Sequence, residues 1–304
     1  METKLFIHGS CDLYDILDTK IIKKNFTVVN QSWNFYNNSN TSLDMNRMRF
    51  PGTGSSLRSI YTDPGPIALR VYDSLINKPC SDKINSRHSF QEILKFPYFN
   101  FFEKHSTTND YLILSFGSEC FSKCEVNNEC FTCIPNMIYL EQKDHPLHWV
   151  FKEYLTEDNI VSFDERSNQN NTALLIQQFA DDIYKIFKNR VILVKTHFTP
   201  YAKYNNNTIK INSFVDESIP FYKRSKVITD SRDIYYTQKA MSIFEKKFLL
   251  AYKTDIPYIE IDDKLYIDGN HRWGASQFHL DLESREKIAK EISNNIKNKK
   301  NLIL

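Results

Sequence analysis

Apolar positions along this chain follow two spacings, one of strand type and one of helix type, and they take turns. Residues 4–8 hold the apolar run Leu5-Phe6-Ile7 and lead into His8-Gly9-Ser10-Cys11, and residues 12–17 continue with helical spacing. The pattern predicts a buried strand, a tight turn and a helix. Thr27-Val28-Val29 predicts a second strand, and residues 33–42, rich in Asn and Ser, a loop. Residues 67–76 have helical spacing, whereas Tyr111-Leu112-Ile113-Leu114 is a strand-type run. Leu174, Leu175, Phe179, Ile183 and Ile186 make a helical stripe over 172–188 that leads into the strand 191–194. A long helix is predicted over 232–252, a last strand over 256–261, and Leu265-Tyr266-Ile267 then runs directly into Asp268-Gly269-Asn270-His271.

Strands alternating with helices imply an α/β fold with a mostly parallel sheet and helices on both faces. No repeat or linker interrupts the pattern, so residues 1–304 are expected to form one domain with a cysteine-rich insertion at about 118–148. In such sheets the active site lies at the carboxyl ends of the strands. Ser10 follows the first strand and Asp268 follows the last apolar run, which would bring both to that edge.

Composition narrows the function classes. Hydrophobic residues at 41% and charged residues at 25% are ordinary for a globular protein, and a net charge of +2 calls for no polyanionic partner. Nucleic acid is therefore not an expected partner. Lys287, Lys290, Lys297, Lys299 and Lys300 concentrate near the end and read as the solvated face of a last helix. No segment has the roughly 20 apolar residues of a membrane span. The start lacks a secretory pattern, and a cytoplasmic location is expected.

The chemistry concentrates at the two ends. A serine hydroxyl is a weak nucleophile until a base takes its proton, and a histidine base works best when a carboxylate fixes its tautomer. Ser10 as nucleophile, His271 as base and Asp268 as its acid partner would supply all three. Ser10 alone would read as a helix N-cap. Cys11 is the rival nucleophile, since the same helix N-terminus would activate a thiolate, and otherwise a small buried residue. His8 lines the site or the core. Trp273 and Phe278 read as packing around the last motif or, alternatively, as a sugar platform.

Three further groups bear on binding. Cys120, Cys124, Cys130 and Cys133, four of the six cysteines, fall within fourteen residues. They fit a structural zinc centre, a disulfide or redox pair, or free thiols in an inserted loop. Arg47, Arg49 and Arg58 flank the turn holding Gly52 and Gly54, where they would grip a phosphate or form ordinary surface ion pairs. Lys195 and His197, at the end of a late strand, are candidates for substrate contact.

Ser10 in its first block and Asp268-x-x-His271 in its last make the chain resemble the SGNH hydrolase superfamily. Within it, Gly9-Ser10-Cys11 followed by an Asp, the Lys-Thr-His stretch at 195–197, and residues 268–279 (DGNHRWGASQFH) are similar to WcbI-type bacterial capsular polysaccharide biosynthesis proteins, which are regarded as acetyltransferase-like. The resemblance implies a flavodoxin-like three-layer α/β/α sandwich with a Ser10–His271–Asp268 triad. It further implies transfer of an O-acyl group, most simply acetyl from acetyl-CoA, to a bacterial surface glycan or its precursor. A carbohydrate esterase of the same fold, or a catalytically silent scaffold binding glycan or protein, are the alternatives. The resemblance implies oxyanion donors in the Ser10 N–H, a glycine such as Gly54, and a polar residue after the third strand. The superfamily's Gly-x-Asn-Asp block is absent after residues 111–114, which leaves Ser115 or Ser118 as candidates there.

Overall fold

The structure is a computed structural model that describes residues 2–9, 11–29, 57–61, 98–120, 123–126, 129–132, 148–154, 156–161, 170–210, 234–271, 275 and 279–301. Its elements in chain order are β1 (Lys4–His8), α1 (Cys11–Leu17), α2 (Lys20–Lys23), β2 (Thr27–Val28), α3 (Leu57–Tyr61), α4 (Tyr98–His105) and β3 (Tyr111–Leu114). There follow β4 (Lys123–Val126), β5 (Glu129–Thr132), α5 (His148–Tyr154), β6 (Ile160–Val161), α6 (Asn170–Phe187) and β7 (Val191–Val194). The last part holds β8 (Tyr201–Tyr204), β9 (Asn207–Lys210), α7 (Ile234–Ala251), β10 (Tyr258–Ile259), β11 (Ile267–Asp268) and α8 (Leu282–Asn301).

The strands β1, β3 and β7 coincide with the apolar runs that predicted them. The helix expected over 172–188 is α6, and the one expected over 232–252 is α7. The predicted loop at 33–42 and helix at 67–76 lie outside the described residues.

Five strands form the central sheet in the order β10-β7-β3-β1-β2, and every neighbouring pair is parallel. Numbered by sequence within this sheet, that is the doubly wound order 2-1-3-4-5. A parallel sheet needs cover on both faces, so its strands are apolar at every position rather than alternately. Both β3 and β7 are buried throughout. Leu5, Tyr111, Ile113, Ile192 and Val194 face a core with Leu13 and Ile16 of α1, Ile22 of α2, and Ile288, Ala289, Ile292 and Ile296 of α8. Phe6, Leu112, Leu114, Val191 and Leu193 face the opposite core, with Leu57 of α3, Phe102 of α4, Phe179 and Ile183 of α6, and Phe248 of α7. The result is a three-layer α/β/α sandwich.

At the amino edge of the sheet a buried carboxylate ties three segments together. Asp110 Oδ1 accepts the Lys4 N–H at 2.8 Å, and Oδ2 accepts the Thr107 N–H at 2.7 Å. Arg190 closes the same edge by donating to the carbonyls of Thr107 and Asp110, each at 2.6 Å.

Two smaller sheets are appended. In one, β11 pairs parallel with β8, and β8 pairs antiparallel with β9. The β8–β9 turn places Asn205 and Asn206 at φ 48° and 65°, the double left-handed turn that suits the twist of a two-residue hairpin. The other sheet, β5-β4-β6, is antiparallel and fills the cysteine-rich region.

Candidate functional site

The carboxyl ends of β1 and β3 are neighbours at the point where the strand order reverses, the place where open α/β sheets bind ligands. His8 and Leu114 are register partners there, and the Ser115 N–H donates to the His8 carbonyl at 2.8 Å. Ser10 lies outside the described residues, but both its neighbours are placed. Gly9 is buried where a Cβ would lie 2.8 Å from Leu13 Cδ2 and 3.3 Å from Ser115 Cβ, so the turn packs directly on β3. Cys11 opens α1.

The other end of the chain folds back onto this helix. Ile267 of β11 bridges Leu280, and the Asp268 N–H donates to the His279 carbonyl at 2.7 Å. Residues 268 and 279 therefore pin the two ends of a loop, and each end carries a histidine. Gly269 is required beneath it: its N–H donates to the Lys203 carbonyl at 2.8 Å, and a Cβ would lie 2.7 Å from that same oxygen. His271 and His279 stack face to face, with ring centroids 3.8 Å apart and planes 7° from parallel.

Both rings meet Asp15 of α1. His279 Nδ1 is 2.9 Å from Asp15 Oδ2 and must be the donor, because a carboxylate only accepts. His271 Nε2 lies 3.7 Å from the same oxygen. All three side chains are mostly withdrawn from solvent, at 8% exposure for each histidine and 11% for Asp15. Neither Asp15 nor His279 stood among the expected site residues. Asp15 was hidden as one more polar position on a short helix. His279 ends the 268–279 segment that the resemblance singled out, and only the loop closure at 268 and 279 shows that it meets Asp15.

Asp268 bonds within its own turn. Its Oδ1 accepts the Asn270 N–H at 3.0 Å, and its carbonyl accepts the His271 N–H at 3.2 Å. Asp268 shapes the turn that delivers His271, while the carboxylate found against the His271 Nε2 is Asp15.

The remaining candidates divide. Ser115 is fully buried; its N–H is held by β1 and its Oγ accepts the Gly117 N–H at 3.2 Å, so its backbone N–H is committed to the sheet. Ser118 lies in the helical turn Gly117–Cys120 beside it. Glu119, unforeseen, accepts the Leu57 N–H at 2.6 Å and so ties the start of α3 to the end of β3. Arg49 and Gly54 lie outside the described residues. Lys195 is ion-paired with Glu260, whose acidity it strengthens. His197 is half-buried, and desolvation of its ring lowers its pKa to about 4; its Nε2 meets no partner among the described residues. His8 is in the core, between Phe179 and Phe116, and burial lowers its pKa to about 3. Both of these rings are neutral at ordinary pH.

Two metal readings can be set against this geometry. Asp15, His271 and His279 bring three ligand atoms within 4.8 Å of one another. An ion about 2 Å from an imidazole nitrogen sits in that ring's plane, and two parallel rings 3.8 Å apart cannot both contain it. With the rings stacked, the cluster is a carboxylate–imidazole hydrogen bond; a shared ion would require one ring to turn. In the cysteine region, Cys124 pairs in register with Phe131 and Cys130 with Glu125. Strand positions alternate between faces, so Cys124 and Cys130 take positions on opposite faces of the hairpin, and Cys133 lies outside the described residues. The four-thiolate zinc centre gains no support from this pairing.

No protein-family model matches the chain, and neither the curated proteins nor the solved structures contain a match. No helix among the described residues is long and apolar enough to cross a membrane.

Proposed function

We propose that this chain is a serine-dependent O-acyltransferase whose nucleophile is Ser10 and whose base is His271. One observation carries the reading: the His271 ring lies against α1, the helix that begins directly after Ser10, at the β1/β3 switch point. Helices rise about 1.5 Å per residue, so Asp15 stands within two turns of the nucleophile it follows. The resemblance of both chain ends to SGNH enzymes of the WcbI type supports the same assignment; it would make Asp268 the triad acid, whereas the carboxylate lying against His271 Nε2 is Asp15.

In this reaction Ser10 Oγ attacks the carbonyl carbon of an acetyl thioester while His271 takes the hydroxyl proton. Collapse of the tetrahedral intermediate breaks the C–S bond, and the CoA thiol leaves with the proton from His271. A sugar hydroxyl then attacks the acyl-serine, gives its proton to His271, and Ser10 recovers it as the ester is released. The Ser10 N–H at the start of α1 is suited to the oxyanion, because helix N-termini carry free donors and positive potential. A bacterial surface glycan or its precursor is the proposed acceptor, and acetyl-CoA as donor agrees with a cytoplasmic enzyme. With water in place of the sugar, the same steps describe an esterase.

The test is the intact mass of the protein after brief incubation with acetyl-CoA, beside Ser10→Ala. An acetyl adduct in the wild type alone is expected. Equal labelling of both proteins, or none together with undetectable CoA binding, overturns the transferase reading and leaves the esterase or the silent scaffold.

A further inference from the structure

We propose that Asp15, held in place by His279, is the charge partner of His271: it favours the protonated ring and fixes its plane. The inference rests on the acyl-transfer reading for what His271 does, but the physical pairing stands on distances alone. The His279 Nδ1–H is spent on Asp15 Oδ2 at 2.9 Å, which sets that ring's tautomer and aims the carboxylate. The same oxygen is 3.7 Å from His271 Nε2, and the two rings are stacked 3.8 Å apart. Two imidazolium rings at that separation would repel, so the single negative charge of Asp15 compensates one added proton and not two. The Asp15 charge would favour a proton on either ring, and the bond to His279 is the shorter one. The acyl-transfer reading makes His271 the base, so the proposal places the proton gained during catalysis there.

Among the described residues, two other carboxylates near this point have partners of their own. Asp268 on β11 holds the Asn270 N–H, and Asp281, two residues beyond His279, is paired with Lys203 at 2.7 Å. Lys203 is also bound to Glu283 at 2.9 Å. Asp15 is thus the anion positioned to act on His271. Asp15 and His279 are positioning residues, since neither needs to touch the acyl group.

The experiment follows the His271 ring by NMR of histidine-labelled full-length protein, assigned by loss of its signal in His271→Gln. In Asp15→Asn the His271 pKa is expected to fall by about one unit, as removal of an anion within 4–6 Å requires. His279→Phe keeps a ring to stack on but loses the donor, and a smaller fall is expected; His279→Gln keeps an amide donor and should restore the wild-type value. An unchanged His271 pKa in Asp15→Asn, with the rest of the spectrum native, overturns the proposal. Should Asp15→Asn fail to fold, the contrast between His279→Phe and His279→Gln decides in its place, and equal values for the two overturn it. The acyl-transfer reading fails separately: a Ser10→Ala variant that still forms the adduct, alongside the expected His271 shifts, rejects the reaction but keeps the pairing.

Discussion

His279 donates its Nδ1–H to Asp15 across a sequence separation of 264, at 2.9 Å and nearly out of contact with solvent. This bond joins the first helix of the chain to the segment that leads into its last. Removing one partner of a buried charged hydrogen bond leaves the other without compensation, at a cost of about 3 kcal/mol. Asp15→Ala and His279→Ala should each destabilise by about that much in urea unfolding, and the double variant by clearly less than the sum. A strictly additive double variant would mean that the two side chains do not stabilise the fold through each other.

Gly269→Ala tests the seat of the histidine loop. The added methyl would stand 2.7 Å from the Lys203 carbonyl oxygen and 2.8 Å from Tyr204 Cβ, so backbone must move. Overpacking of this kind costs about 1–3 kcal/mol. Because the displaced segment carries His271, acyl loading should fall together with the thermal midpoint. The comparable Gly9→Ala change meets a flexible Leu13 side chain first and should be milder.

Chelation separates the metal readings from the hydrogen-bonded one. EDTA is expected to leave both the thermal midpoint and the acyl loading unchanged, because stacked rings do not share an ion. Stoichiometric zinc in the purified protein with a lower midpoint after chelation would contradict this. Loss of that zinc in His279→Phe would assign it to the Asp15 cluster, and its retention to the cysteines.

Much of the scaffold was legible because parallel strands are buried on both faces: the apolar runs at residues 4–8, 111–114 and 191–194 can be nothing but interior. The appended strands were not, since β8 and β9 are short and largely polar, although Tyr204-Asn205-Asn206-Asn207 carries the chemistry of a tight hairpin turn. At the site, the Asp268-x-x-His271 spacing pointed to the loop that carries His271 and His279. It could not show that Asp15 stands against the ring, because that pairing arises from how α1 and residues 279–281 dock. A helix position such as Asp15 looks solvent-exposed until its partner arrives from the far end of the chain.

Three desolvated groups set how stability depends on pH. Glu245 accepts the Thr196 N–H at 2.8 Å and the Tyr258 hydroxyl at 2.7 Å, and burial raises its pKa to about 7 from the ordinary 4.5. Its contribution is fully present below pH 4.5 and is lost as pH rises through about 7, by about 3 kcal/mol. His8 and His197 act in the opposite sense. Their pKa values are lowered to about 3 and about 4, so their contribution is present above 6.5 and is lost as pH falls below it. Below pH 6.5 the unfolded chain takes up two histidine protons where the folded chain withholds them, against one that Glu245 retains, so stability rises with pH. The opposing uptakes balance near pH 7, about where Glu245 loses its proton. Unfolding midpoints in urea should therefore be nearly level from about pH 7 to 8 and fall steeply towards pH 5. Glu245→Gln keeps an acceptor for Thr196 without an ionisable proton, so the two histidine uptakes lose their offset and the fall towards pH 5 should become steeper. An acid limb of unchanged slope in that variant would show that Glu245 holds no extra proton in the folded chain.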